Sequence, residues 1–135
     1  MALLTWSDNY SVGVAAIDSQ HKALVDTLNQ LHDGMMKGQA ASVTGPLLMK
    51  MVDYTRNHFA DEEKLMAQTK YPSLQQHHAH HVDLTKQVED FVGRYDRGEI
   101  TLNVKLLNFL RDWLTNHILK EDKEYGPWMN KNGVR

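Results

Sequence analysis

Residues 74–91 read LQQHHAHHVDLTKQVEDF, and this stretch decides the predicted fold. Apolar residues and histidines recur in it at helical spacing, which is typical of a helix with one buried face. His80 instead falls on the polar face, and His78 lies at the flank of the stripe. The sequence therefore predicts a helix that points two of its four histidines at the core. The buried stripe runs through Leu74, His77, His81, Leu84 and Val88.

Three further segments have the same periodicity and are separated by glycine and proline. Asp18 is the expected N-cap of the first helix, and Pro46 is expected in the first turn of the second. No segment alternates long enough to predict a sheet. The sequence predicts a single all-α domain, residues 1–135, with the architecture of an up-down-up-down antiparallel four-helix bundle. The expected parts are an N-terminal arm (about 1–17), helices over about 18–38, 44–69, 73–96 and 103–121, and a C-terminal tail (122–135).

Composition excludes several classes of function. The chain of 135 residues has a net charge of −2 and no cysteine, so thiolate metal sites, disulfides and cysteine nucleophiles are excluded. The absence of a basic run argues against nucleic-acid binding. No apolar stretch approaches the ~20 residues of a membrane span, and no signal peptide is visible. We therefore expect a cytoplasmic protein.

The predicted buried stripes of all four helices carry histidine. An unpaired buried polar group costs about 1–3 kcal/mol, against a total stability of about 5–15 kcal/mol, so these groups must satisfy one another or a common cation. Five imidazoles exceed the ligands of one zinc ion, whereas two carboxylate-bridged ions fit, and imidazole suits iron, copper, nickel or zinc. His32 lies beside its stripe and has no expected role. The inward polar residues are His21, His58, Glu62, His77, His81 and His117.

The order and spacing of these residues resemble the complete ligand set of the hemerythrins. The pattern is His21, His58-x-x-x-Glu62, His77-x-x-x-His81 and His117-x-x-x-x-Asp122. The stretches TWSDNYSVGVAAIDSQH (5–21) and HFADEE (58–63) resemble the bacterial branch, the bacteriohemerythrins. The resemblance covers essentially the whole chain.

The resemblance implies a non-haem di-iron centre. His77, His81 and His117 would hold one iron, and His21 and His58 the other. Glu62 and Asp122 would bridge them together with an oxo or hydroxo group. Dioxygen would bind as a hydroperoxide on the two-histidine iron and be released reversibly.

Asp122 is a ligand by resemblance only. Ordinary helix geometry from His117 favours Glu121 at i+4, and Asp122 at i+5 lies ~140° round the helix. Asp122 reaches inward only if the helix tightens, bulges or ends there.

The expected oxygen pocket is apolar, because bound dioxygen must be shielded from water. The positions that match the family's pocket are Phe59, Trp113, Leu114 and Ile118. Plain core packing is the alternative role for them.

The favoured function is reversible dioxygen carriage or storage by a non-enzymatic monomer, with an oxygen-consuming enzyme as the recipient. Imidazole-rich ligation favours reversibility, because carboxylate-rich sites built on Glu-x-x-His pairs stabilise the ferric state more strongly. The alternatives are a di-iron enzyme acting on nitric oxide or peroxide, an oxygen or iron sensor, iron storage and a zinc-stabilised structural bundle.

Overall fold

The computed structural model describes residues 4–99 and 104–135, without the side chains of residues 40, 41, 43 and 118–120. Two short segments accompany the long helices: a 3-10 turn at Asp8–Tyr10 and a π-helix at His117–Asp122. The described residues form helices and connecting loops and contain no strand, so the predicted all-α bundle is confirmed. The α-helices are α1 (Ala15–Met36), α2 (Ala40–Gln68), α3 (Leu74–Asp96), α4 (Val104–Asn116) and α5 (Lys123–Lys131).

The long helices pack side by side through their apolar stripes. Helix α1 contacts α2 and α4, and α2 contacts α3, so each predicted stripe faces a neighbour. The main apolar cluster includes Leu24, Leu28, Met51, Leu110 and Leu114, each at most 1% exposed. Burying such side chains stabilises the bundle by about 1.5–3 kcal/mol each before chain entropy is counted.

The first two predicted helix starts are wrong. Helix α1 begins at Ala15, and Asp18 lies inside it rather than capping it. The Asp18 carboxylate instead accepts hydrogen bonds from Ser11 Oγ (2.6 Å) and Val12 N (2.9 Å), which tethers the N-terminal arm to the helix. Helix α2 begins at Ala40, so Pro46 lies inside it. Pro46 is exposed, so the carbonyl that loses its N–H partner there can be hydrated.

The predicted C-terminal tail is helical. The fourth helix does not end at residue 121 but continues through the π-helix into α5, which reaches Lys131. Gly126 permits this packing, because a Cβ atom there would lie 2.1 Å from the carbonyl oxygen of Val12. A second apolar cluster forms where α5 meets the arm. It comprises Val12, Val14, Ile17, Met66, Tyr125 and Met129.

Within residues 4–99 and 104–135, none of the helices combines the length and the apolar character that crossing a bilayer requires.

Candidate metal centre

Seven polar side chains from α1, α2, α3 and the π-helix meet inside the bundle, between the two apolar clusters. Each predicted ligand is buried, and the most exposed of them, His77, is 7% accessible. The two pairs one helical turn apart, His58 with Glu62 and His77 with His81, face inward as predicted. The seven residues are His21 (α1), His58 and Glu62 (α2), His77 and His81 (α3), and His117 and Asp122 (π-helix).

The Asp122 carboxylate contacts imidazoles from four helical segments, including His58 Nε2 of α2 at 3.4 Å from Oδ2. Its Oδ2 atom lies 2.7 Å from His21 Nε2 and 3.0 Å from His117 Nε2. Its Oδ1 atom lies 3.1 Å from His77 Nε2. All the imidazoles in these contacts present Nε2, which leaves Nδ1 free to face outward.

Glu62 occupies the opposite side of the cluster and is fully buried. Its Oε1 atom lies against His58 Nε2 and is 3.6 Å from His117 Nε2, and its Oε2 atom is 3.8 Å from His77 Nε2. Neither oxygen accepts a hydrogen bond of acceptable geometry. Nε2 of His81 and Nε2 of His117 also lack a hydrogen-bond partner, so buried donor atoms converge without satisfying one another.

The donor atoms fall into two overlapping groups, and both groups contain Glu62 and Asp122. Within each group the donor atoms lie within 4.8 Å of one another. A carboxylate common to two groups is in the position that a bridge between two ions requires. The first group adds His21, His58 and His117, and the second adds His77 and His81.

His117 stands between the two pairs of histidines. Its ring centroid is 5.6 Å from that of His81 and 5.7 Å from that of His58. The ring of His117 is thus about as near to His81 as to His58, but its donor atom falls in the group of His21 and His58. The resemblance instead joins it to His77 and His81.

The π-helix explains why Asp122 rather than Glu121 faces the cluster. In a π-helix the repeating hydrogen bond joins residues i and i+5, which brings His117 and Asp122 onto one face. Asp122 is fully buried, whereas the side chain of Glu121 is 29% exposed. The bulge is the local feature that straight-helix geometry did not anticipate.

Burial, and the attraction between carboxylates and imidazoles, strongly shift the pKa values of the residues in the cluster. Burial acts to lower the pKa of His117 and of His77, but the carboxylates of Asp122 and Glu62 outweigh it and raise these pKa values to about 10 and about 9. Burial lowers the pKa of His81 to about 4. Burial opposes ionisation of Asp122, but its imidazole neighbours, above all His117, hold the pKa well below its usual range. Burial also acts to lower the pKa of His58, but Glu62 and Asp122 outweigh it and raise that pKa. At neutral pH the two carboxylates of the metal-free cluster are therefore balanced by protonated imidazoles, among them His77 and His117.

Two of the outward ring nitrogens, those of His58 and His81, have partners that the sequence did not predict. His58 Nδ1 lies 2.7 Å from Gln20 Oε1, and His81 Nδ1 lies 3.4 Å from Glu63 Oε2. Such contacts orient an imidazole and raise its basicity as a ligand. Gln20 immediately precedes the predicted ligand His21, and Glu63 immediately follows Glu62. Only the packing of neighbouring helices brings them to the ring nitrogens.

Apolar and aromatic side chains enclose one side of the cluster. The Phe59 ring stacks on His81 with a centroid distance of 3.8 Å and contacts His117 at 5.0 Å. The Trp113 ring lies 6.3 Å from His117, and Leu114 is fully buried in the same apolar cluster. Two of the four predicted pocket residues, Phe59 and Trp113, are thus adjacent to the histidines, and Leu114 belongs to the same apolar cluster. The side chain of the fourth, Ile118, lies outside the described residues.

Tyr125 lies on the other side of the cluster, although the sequence analysis assigned it to a tail. Its ring is 5.6 Å from that of His77, and its hydroxyl is buried without a hydrogen-bond partner. Burial and the two carboxylates raise its pKa well above the usual value, so the phenol stays protonated. A neutral donor is therefore available beside the centre.

The two histidines predicted to be bystanders lie outside the cluster. The side chain of His78 is 61% exposed and contacts Glu63, and that of His80 is 35% exposed and contacts Glu121. His32 is partly buried, and its Nδ1 has no hydrogen-bond partner.

The donor set fits a pair of transition-metal ions. Nε2 of His21 and Nε2 of His58 are 2.9 Å apart, which matches the roughly 3.0 Å expected of two nitrogen ligands at adjacent positions about 2.1 Å from one ion. Nitrogen and carboxylate donors without thiolate suit iron. The unpartnered Glu62 oxygens are the buried acceptors that a cation would satisfy.

Comparisons with known proteins agree with this geometry. The family model for the hemerythrin HHE cation-binding domain matches residues 12–129. A bacteriohemerythrin of Methylococcus capsulatus is 37% identical over 96% of this chain and 99% of its own length. A bacteriohemerythrin of Stenotrophomonas maltophilia is 38% identical over 93% of this chain and 80% of its own. A crystal structure of wild-type hemerythrin superposes with a TM-score of 0.86 at 36% identity, covering 95% of this chain and 98% of that chain.

Proposed function

The chain belongs to the hemerythrin family, and on that premise we propose that it binds dioxygen reversibly at a pair of non-haem iron ions. The observation that carries the proposal is the pair of donor groups that share Glu62 and Asp122. One shared carboxylate could serve a single ion, but two shared carboxylates between two sets of imidazoles suit two ions held side by side.

The proposed ligand roles follow the family pattern. His77, His81 and His117 would hold one iron, and His21 and His58 would hold the other. The second iron would have fewer protein ligands, which would leave room for dioxygen there. Glu62 and Asp122, which belong to both donor groups, would supply carboxylate oxygen to both ions.

When bound, two ferrous ions supply the two electrons that dioxygen takes up and gives back. The chain's own residues decide whether that exchange is reversible. Phe59, Trp113 and Leu114 exclude water from the side of the cluster they cover, which protects the bound state from loss. Gln20 fixes the ring of His58 through its 2.7 Å contact.

We propose carriage or storage of dioxygen rather than catalysis. The apolar wall of Phe59, Trp113 and Leu114 suits a diatomic ligand. The monomeric state, the cytoplasmic location and an oxygen-consuming recipient remain predictions.

A gas-exchange experiment tests the proposed function. Protein loaded with ferrous iron is exposed to dioxygen and then evacuated, over several cycles, while its visible absorption is recorded. Reversible binding predicts that the spectrum of the reduced protein returns after each evacuation. Permanent oxidation in the first cycle, with consumption of dioxygen, peroxide or nitric oxide over many turnovers, would instead identify an enzyme.

A further inference from the structure

A polar cleft connects the buried centre with the surface. It lies between the start of α3 and the segment that joins the π-helix to α5, and its volume is about 250 Å³. His77, the most exposed of the seven proposed ligands, lines its inner end. The cleft is therefore a place where solvent reaches the cluster. Its other lining residues are Ser73, Gln76, His80, Glu121 and Glu124.

His80 and Glu121 form a pair of donors inside this cleft. His80 Nε2 contacts Glu121 Oε2, and both side chains are only partly exposed. The same Glu121 oxygen lies 4.0 Å from Nδ1 of His117. That nitrogen is buried and has no hydrogen-bond partner, so an unsatisfied polar atom of the centre points toward the pair. The donor atoms of His80, Glu121 and His117 lie within 4.8 Å of one another, close enough to surround one metal ion.

The electrostatics of the cleft favour a cation. Glu121 and Glu124 contribute negative charge, and none of the six described lining residues is lysine or arginine. A second opening, the groove between α2 and α3, reaches His81 and has a volume of about 310 Å³. Its lining balances Arg56 and Lys86 against Glu63 and Glu89, and Arg56 is paired with Glu89. An approaching divalent cation is therefore attracted more strongly by the acidic cleft than by the groove.

We propose that His80 and Glu121, with Glu124 beside them, form a loading site for divalent transition-metal ions. An ion binds there from solvent through imidazole nitrogen and carboxylate oxygen and then passes His77 to the buried centre. Two or three protein ligands hold the ion weakly enough for it to move on. This inference rests on the proposed function only in that the buried cluster is the ion's destination.

Cobalt(II) uptake by the metal-free protein tests the loading site, because the visible absorption of cobalt changes when protein nitrogen and oxygen atoms replace its water ligands. Stopped-flow absorbance gives the rate of uptake, and elemental analysis gives the final number of ions per chain. His80→Ala and Glu124→Gln should each slow uptake. The double variant, which lacks both groups, should take up cobalt about tenfold more slowly than the wild type. All variants should still reach two ions per chain, because the seven ligands of the centre are unchanged.

His78→Ala is the matched control, since it removes an exposed imidazole from the same helix on the side of the other groove. It should load at the wild-type rate. Added salt should slow the wild type more than Glu124→Gln, because screening weakens a charge that the variant has already lost.

The outcomes separate the two proposals. The loading site is overturned if the double variant takes up cobalt at the wild-type rate, or if His78→Ala slows uptake as much as the double variant does. In either case, a final value of two ions per chain leaves the proposed centre intact. A wild-type protein that saturates below two ions refutes the di-ion centre, and the loading site falls with it.

Discussion

His117 Nε2 lies 3.0 Å from Asp122 Oδ2, five positions further along the chain, because the backbone between them is a π-helix. The bulge rotates Asp122 into the cluster and leaves Glu121 on the partly exposed flank. A single irregular turn therefore decides which of two neighbouring carboxylates can serve as a bridge. π-Bulges of this kind occur frequently at functional sites.

The first prediction concerns these two carboxylates. Asp122→Ala should lose at least one of the two metal ions, because it removes an oxygen donor that both donor groups share. Glu121→Ala should retain both ions at saturation, because its side chain lies outside the bridging position. Elemental analysis after equilibration with iron measures the difference. Retention of both ions by Asp122→Ala and their loss from Glu121→Ala would reverse the ligand assignment.

How far the sequence could predict this centre depended on the regularity of the helices. His58 with Glu62 and His77 with His81 are spaced by one α-helical turn, so their common face could be read directly. Asp122 could not be placed by the same rule, because the π-helix changes the spacing. Only the resemblance to a family identified it.

The periodicity of the sequence does not predict which side chains of different helices contact each other. Gln20 and Glu63 meet histidines of other helices, and nothing in their own local spacing indicates those partners. The C-terminal helix lies in the predicted tail, because a glycine followed by a proline, here Gly126 and Pro127, is typical of a helix end. Gly126 is instead the point of close approach between α5 and Val12 in the arm.

The second prediction is that metal binding releases protons. The carboxylates raise the pKa of His77 to about 9 and that of His117 to about 10, against the opposing effect of burial. Both rings are thus protonated at pH 7 without metal, and both must lose the proton to bind an ion through Nε2. Loading at pH 7 should release at least two protons per chain, and metal affinity should rise with pH.

The same shifts give the sign of a stability change in the metal-free protein. Because both pKa values are raised above the unfolded value of about 6.5, this contribution is fully present below that pH. It is lost as the pH rises through about 9 and about 10.

The predicted release of protons on metal binding is measured by calorimetric titration in buffers of different ionisation enthalpy. A value near zero at pH 7 would contradict the assignment.

The third prediction concerns the apolar wall. Leu114→Ala should speed oxidation of the ferrous protein by air several-fold, because the space it opens admits water to the side of the cluster that Leu114 covers. The variant should also lose about 2–5 kcal/mol of stability, as a fully buried leucine does.

Leu110→Ala is the control for this loss of stability. Leu110 is fully buried, lies one turn earlier on α4 and belongs to the same apolar cluster. It should lower the free energy of unfolding by a similar amount and leave the rate of oxidation near that of the wild type. Equal acceleration in both variants would show that general loosening, rather than an opened pocket, exposes the iron.

The fourth prediction concerns the outer partner of His58. Gln20→Leu removes the oxygen that faces His58 Nδ1 at 2.7 Å and keeps a side chain of similar volume. The affinity for metal should fall by about 10–100-fold, since the ring loses the contact that orients it. Competition with a chelator measures the affinity. Gln30→Leu, at an exposed position of α1 that lines a separate groove, should bind metal as the wild type does.

Anomalous diffraction at the iron absorption edge, from crystals of the iron-loaded protein, tests the central claim most directly. The proposed centre predicts two anomalous peaks per chain. One should lie within bonding distance of Nε2 of His77, His81 and His117, the other near His21 and His58, with Glu62 and Asp122 between them. A single peak, or a second peak outside this cluster of side chains, would contradict the account.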